Sequence, residues 1–143
     1  MQGKRALAIA SLTVAAAAPG VTSAHASTAS SMVSEMNSVR QARGVGPLRM
    51  SESLNRSSYR WARYLMRRDW LGHASLRAAH ARGEIIEMHS GSRAGIGRAL
   101  RRWMGSPAHR AILLSGTVHG VGVGNVSGRF GGMRATIWVA RFR

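Results

Sequence analysis

Gly120-Val121-Gly122-Val123-Gly124 lies inside a run from Val118 to Asn125 that alternates with period two. That is the spacing at which a strand sends successive side chains to opposite faces. Glycine fills one of these faces, which marks close approach by another element. A second run follows from Met133 to Phe142, with Ala135, Ile137 and Val139 on one face and Thr136, Trp138 and Phe142 on the other. Both faces read as buried, so the sequence predicts a sheet covered on each side. Ser127 to Gly132 reads as the hairpin loop joining the two strands.

Upstream the apolar spacing becomes helical. Met32, Val33, Met36 and Val39 predict a first helix that ends near Arg43-Gly44. Gly46-Pro47-Leu48 reads as an extended connector. Ser51 is a good cap for a second helix, with Glu52 in the first turn where the helix dipole favours it. Leu54, Ser58, Trp61, Ala62 and Leu65 share one face of that helix, while Arg56, Arg60, Arg63 and Arg67 fall elsewhere. The pattern runs out at Arg68-Asp69. Leu76 to His80 reads as a short helical turn, Gly83 to Met88 as a strand or extended segment, and Ser90-Gly91-Ser92 as a loop. Ile96, Leu100 and Trp103-Met104 predict a third helix. Ser106-Pro107 opens a short fourth, with Ser as cap and Pro at the first helical position. Helices first, then a small antiparallel sheet with helices on two sides, is an α+β fold built as an α–β–α sandwich.

The chain has 143 residues, which suits one domain. Residues 1–26 read as a secretory signal peptide. Lys4 and Arg5 form a positive start, Ala6 to Ala18 carry no charge, Pro19-Gly20 break the run, and Ala24-His25-Ala26 matches the small-x-small cleavage pattern. Residues 27–31 read as a short mobile linker, and 32–143 as the domain. The expected location is therefore extracellular or associated with the cell envelope. Cysteine is absent, so neither disulfides nor thiol chemistry are available and the fold must rely on packing or a bound metal.

The net charge is +16, and +14 once Lys4 and Arg5 are removed. All but one of the 21 basic residues are Arg, a bias that GC-rich coding explains. Such a charge favours anionic surfaces, whether phosphate-bearing wall polymers or acidic lipids. The basic residues occur as short pairs, Arg67-Arg68 and Arg101-Arg102, without an aromatic stacking platform, so specific nucleic-acid binding is not expected.

Three side chains stand out for chemistry. His109, in Ser106-Pro107-Ala108-His109-Arg110, falls in the first turn of the fourth helix. His73 follows Trp70-Leu71-Gly72, and Glu84 follows Gly83. Two imidazoles and a carboxylate make a competent Zn²⁺ ligand set with a position left for water, or an acid–base group. They also suit a buried polar network that pins loops to the sheet. Their spacing matches no local metal motif, so only the fold can bring them together. No nucleophile elbow is present; Ser106 reads as a cap rather than a nucleophile. His80 and His89 read as exposed, His119 as structural, Asp69 as a helix end paired with Arg, and Glu35 as an Arg partner on the first helix. Glu87 is a possible substitute carboxylate, facing away from Glu84 if the segment is a strand. The tryptophans read as core, with Trp70 a candidate to line a cleft.

Taken in order, these pieces resemble the CAP superfamily (cysteine-rich secretory proteins, antigen five and pathogenesis-related proteins) in its short bacterial form. The carrying residues are Asn37-Ser38-Val39-Arg40, Gly44, Pro47-Leu48, Leu54, Ala62, His73, Gly83-Glu84 and Trp103-Met104. Ser106-Pro107-Ala108-His109-Arg110 and Gly120 to Gly124 complete the set. The resemblance covers residues 30 to 142. It implies a three-stranded antiparallel sheet between helical layers and a cleft where His73, Glu84 and His109 meet, with Trp70 and Ser106 beside it. Zn²⁺ or another divalent cation at His73 and His109 is implied for some members only. Two departures matter. Ser106 stands where larger members carry a second Glu, and Ile85 stands where an Asn usually follows Gly-Glu. The expected function is a monomeric, exported binding or interaction module for a small ligand, held near anionic cell-wall polymer or lipid. A metal-assisted hydrolase using the same residues and a cationic membrane-active protein are the alternatives.

Overall fold

The computed structural model describes residues 20–143. The elements are α1 (Gly20–Gln41), β1 (Arg49–Met50), α2 (Glu52–Arg68), β2 (Gly83–Ser90), α3 (Ile96–Gly105), α4 (Pro107–Leu113), β3 (Gly120–Phe130) and β4 (Met133–Phe142). The α+β sandwich expected from the order of periods is present: α1, α3 and α4 cover one face of the sheet and α2 the other.

The sheet itself differs from expectation. It has four strands in the order β1-β3-β4-β2, not three. β2, β4 and β3 are antiparallel neighbours, but β1 joins β3 in parallel, pairing Arg49 with Gly120 and Met50 with Val121. The cause lies in the connector after α1. Asn37 clamps Leu48 through both backbone groups, donating to its carbonyl at 3.0 Å and accepting from its N–H at 2.8 Å. Arg49 and Ser51 then donate to His119 and Val121, both at 2.8 Å. A two-residue strand carries no readable periodicity, which is why the sequence does not show it.

β4 alternates as read. Trp138, Ala140 and Phe142 join the larger core with Met32, Met36, Ile85, Trp103 and Leu113, while Ile137 and Val139 meet Ala62, Leu65 and Met66 of α2. The glycine face of β3 lies under α2. A methyl group at Gly122 would collide with the backbone of Leu54 and Asn55, and one at Gly124 with the backbone of Tyr59. Absence of side chains lets α2 lie against the strand, where Ser58 donates to the Gly122 carbonyl at 3.0 Å and Asn55 accepts from the Val123 N–H at 2.8 Å.

Other expectations also need correction. The hairpin loop is not Ser127–Gly132: β3 runs on to Phe130, and the turn is Gly131-Gly132 alone, at φ +56° and +82°. Two consecutive positive φ values suit a two-residue hairpin turn that matches strand twist. Residues 27–31 are not a linker but lie within α1, where Ala29 is buried; small, uncharged residues there let the helix run down to its apolar stripe. The signal-peptide reading of residues 1–26 falls mostly outside the described residues. Leu76 to His80 do form a short run of turns as read, with the Ala79 N–H donating to the Ser75 carbonyl at 3.0 Å. Among the described residues no helix is long and apolar enough to cross a membrane.

Arg40 organises one end of the larger core. It is 1 % exposed and donates to the carbonyls of Gly46 (2.7 Å), Leu113 (2.7 Å), Ser115 (3.0 Å) and Val118 (3.3 Å). Burial lowers its pKa from the usual arginine value. One guanidinium thus ties the end of α1 to the connector and to the loop after α4.

Candidate functional site

β2 is an edge strand, and the candidate residues collect around it. Gly83 starts the strand beside the last residue of β4. Side chains alternate across it, so Glu84 points toward α2 while Ile85, Glu87 and His89 point toward α3 and α4.

Glu84 is 4 % exposed and has three partners. His73 Nδ1 lies 2.9 Å from Oε1, the Ala74 N–H donates to the same oxygen at 3.0 Å, and Arg141 Nε donates to Oε2 at 2.8 Å. Arg141 is itself buried, with its guanidinium 5.8 Å from the centre of the Trp61 ring. The carboxylate therefore fixes the 73–74 loop and neutralises a buried cation. His73 remains open on its other side, its side chain 58 % exposed.

These groups form the wall of a cavity of about 390 Å³ lined by Arg60, Trp61, Tyr64, His73, Ser75 and Arg141, among others. Trp61 stacks on Tyr64 at 4.9 Å, donates from Nε1 to the Gly72 carbonyl at 3.1 Å, and takes the edge of Trp70 at 6.3 Å. Trp70, the candidate for lining the cleft, is exposed, meets Trp61 edge-on and is not among the residues lining this cavity. It is folded over Gly72, which offers no side chain to displace it.

His109 occupies the other side of the β2 edge. It lines a separate cavity of about 590 Å³ with Leu71, Glu87, Met88, Arg102 and Ser106. Ser106 ends α3 and precedes Pro107 of α4, as read, but its hydroxyl makes no capping hydrogen bond; its carbonyl accepts from Arg110 at 2.9 Å. Partial burial lowers the pKa of His109, and the charge of His73 lowers it further. The structure joins His73 to Glu84, while His109 lines the cavity that Glu87 and Arg102 share.

Among the described residues no three His, Asp or Glu side chains are gathered closely enough to hold a metal ion. A divalent ion would have His73 and His109 as its protein ligands. Glu84 would sit behind His73, the second-layer carboxylate that commonly orients a metal-binding imidazole. Such an ion would supply a polarised water.

Sequence reasoning missed Arg141 and misplaced His89. Arg141 is a charge in the inward register of an apolar strand, a signal visible beside Ile137 and Val139. His89 is buried rather than exposed. Its ring is wedged between the Glu87 carboxylate, 2.9 Å from Nδ1, and the Arg93 carbonyl, 3.1 Å from Nε2. Arg102 Nε approaches Glu87 at 3.5 Å. Glu87 does face away from Glu84, toward the cavity of His109. Asp69 ends α2 in a left-handed conformation, at φ 46°, but accepts from the Gly131 N–H at 2.9 Å rather than pairing with Arg.

A family model described as "CAP: Cysteine-rich secretory protein family" matches residues 33–142. No curated protein matches the chain in sequence. Solved structures do. An outer surface protein of Borrelia burgdorferi is 15 % identical with a TM-score of 0.61, covering 80 % of this chain and 90 % of that one. An extracellular protein containing an SCP domain from Bacillus anthracis is 15 % identical with a TM-score of 0.62, covering 91 % of this chain and 45 % of that one. A cysteine-rich secretory protein from Staphylococcus aureus is 18 % identical with a TM-score of 0.58, over 83 % and 40 %. At these identities the likeness is one of fold.

Proposed function

Because this chain belongs to the CAP family of cysteine-rich secretory proteins, we propose that it is an exported binding module. In this reading residues 1–26 direct export, the mature protein is monomeric, and its charge retains it on anionic polymers of the cell envelope. The cavity walled by Trp61, Tyr64, His73 and Arg141 receives a small ligand, with His109 and Ser106 in the neighbouring cavity across β2.

One observation carries the preference for binding over catalysis. Glu84 is buried and committed to His73, Ala74 and Arg141. A carboxylate held by three partners and paired with a buried guanidinium cannot swing toward a substrate without leaving that guanidinium unpaired in a desolvated site. What Glu84 can do is hold His73 in one orientation, with Nε2 presented to the cavity as a fixed polar contact. Metal-assisted hydrolysis has this same presentation of Nε2 in its favour and differs in needing an ion.

Retention on isolated cell walls tests the envelope part: binding at low ionic strength should be released by salt, and indifference to salt would overturn it. Elemental analysis after zinc supplementation separates the two readings of the cleft. Stoichiometric zinc that is lost in His109→Ala would favour the hydrolase.

A further inference from the structure

The topology brings a basic residue to the same end of every strand. β1 and β3 run parallel and both start there; β4 ends there and β2 starts there. Arg49 is the first residue of β1, His119 immediately precedes β3, Arg143 immediately follows β4, and Arg82 immediately precedes β2. In sheet order the row is Arg49, His119, Arg143, Arg82. Adjacent strands lie about 4.8 Å apart, so the four positions span roughly 14 Å.

These residues line one cavity of about 430 Å³. All four are exposed. The Arg143 side chain lies across Gly120, where an added methyl would meet its Cγ at 3.0 Å and its Nε at 3.1 Å. The Arg143 backbone oxygen is taken up by the amides of His119 and Gly120, at 2.8 Å each. No carboxylate side chain lines the cavity. Of the five in the chain, Glu84 and Glu87 are buried and paired elsewhere, Asp69 is bound at the opposite end of the sheet by Gly131, and Glu35 and Glu52 lie on α1 and α2. The ion pairs of the described residues engage only two guanidiniums, those of Arg102 and Arg141.

Three guanidiniums held along one sheet end with no carboxylate side chain among them repel one another, and an anion relieves that repulsion. A single small anion would meet one or two of these groups, whereas an extended polyanion can follow the row. Guanidinium forks suit phosphate oxygens. We propose that this end of the sheet is a binding site for an extended phosphate polymer, with Arg49, Arg82 and Arg143 as its phosphate contacts. This rests on the electrostatic reading of retention above and gives it a location, distinct from the cleft at His73.

The experiment measures binding of the protein to purified poly(glycerol phosphate) and, in a parallel arm, to vesicles of phosphatidylglycerol. Two triple variants of equal charge are compared. Arg49→Gln, Arg82→Gln, Arg143→Gln empties the row; Arg67→Gln, Arg68→Gln, Arg134→Gln removes three exposed cations near the opposite end. The first should weaken polymer binding roughly tenfold or more, since a hydrogen bond to a charged group is worth about that factor. The second should change it much less, with circular dichroism confirming that both fold. Equal losses in the two variants, while salt still releases the wild type from cell walls, would overturn the site and leave the charge reading intact. Absence of polymer binding by the wild type, with vesicle binding that depends on the same three arginines, would move the site to lipid headgroups and overturn the polymer. Walls indifferent to salt would instead remove the reading beneath both.

Discussion

Glu84 and His73 are neighbours with opposite energetic characters. Glu84 is buried against a buried Arg141, whereas the His73 side chain is more than half exposed. Removing one partner of a buried pair costs about 3 kcal/mol or more, while an exposed pair contributes about 1 kcal/mol at most. Urea unfolding should therefore show Glu84→Gln strongly destabilised and His73→Gln nearly unchanged; similar losses would mean that the carboxylate serves the imidazole rather than the guanidinium. His109 predicts a pH effect. Burial, and then the charge of His73, hold its pKa below the ordinary histidine value of about 6.5. The unfolded chain then binds more protons than the folded one between those two values, so stability falls as pH drops below about 6.5 and the loss is complete below the folded value. NMR titration of the ring should give the lowered pKa, and His73→Gln should raise it part of the way back. In His109→Gln this contribution to acid sensitivity should vanish. Glu84 and His109 are both visible in the sequence as candidates. Arg141, which decides what Glu84 can do, shows only as a charge in the register of Ile137 and Val139; nothing in its neighbourhood says that β2, and with it Glu84, will lie beside it.

At the level of elements, α2 and β3 depend on each other. The helix sits on a glycine face, and the fit differs along its length. A methyl at Gly122 meets backbone, whereas one at Gly128 meets the Cγ and Sδ of Met66 at 3.1 and 3.2 Å. Backbone cannot yield without moving the helix, but a methionine side chain can rotate. Gly122→Ala should cost about 3 kcal/mol or prevent folding, and Gly128→Ala less than about 1 kcal/mol, measured as chemical denaturation midpoints; equal effects would show that α2 is free to lift. The period-two glycines announced this contact, since only close packing makes such a run useful. The sequence did not announce β1. Two residues joined in parallel to the far start of β3 owe their place to Asn37 and to the amides of Arg49 and Ser51, and those bonds exist only once the chain has closed.

For the whole molecule, the boundary of the domain can be tested. The core begins at Ala29 and continues through Met32, Val33 and Met36 of α1. His25 lies outside that core, its ring 4.7 Å from that of Tyr59. A protein comprising residues 27–143 should keep its cooperative transition, with a loss below about 1 kcal/mol, as expected for removing surface contacts; a collapse of the transition would show that Gly20 to Ala26 belong to the folded unit. Sequence alone sufficed for the sandwich, the helical faces, the alternation of β4 and the family, and it singled out His73, Glu84 and His109 as candidates. These are written in local periods and in residue types whose chemistry is the same wherever they fall. Tertiary structure alone decided that Glu84 is spent on Arg141, that His109 opens into a different cavity from His73, that His89 is buried, and that four basic residues line up at one sheet end. Each of these depends on which strands become neighbours and which face of an edge strand a side chain takes. Those are outcomes of chain closure over many residues, and no local pattern encodes them.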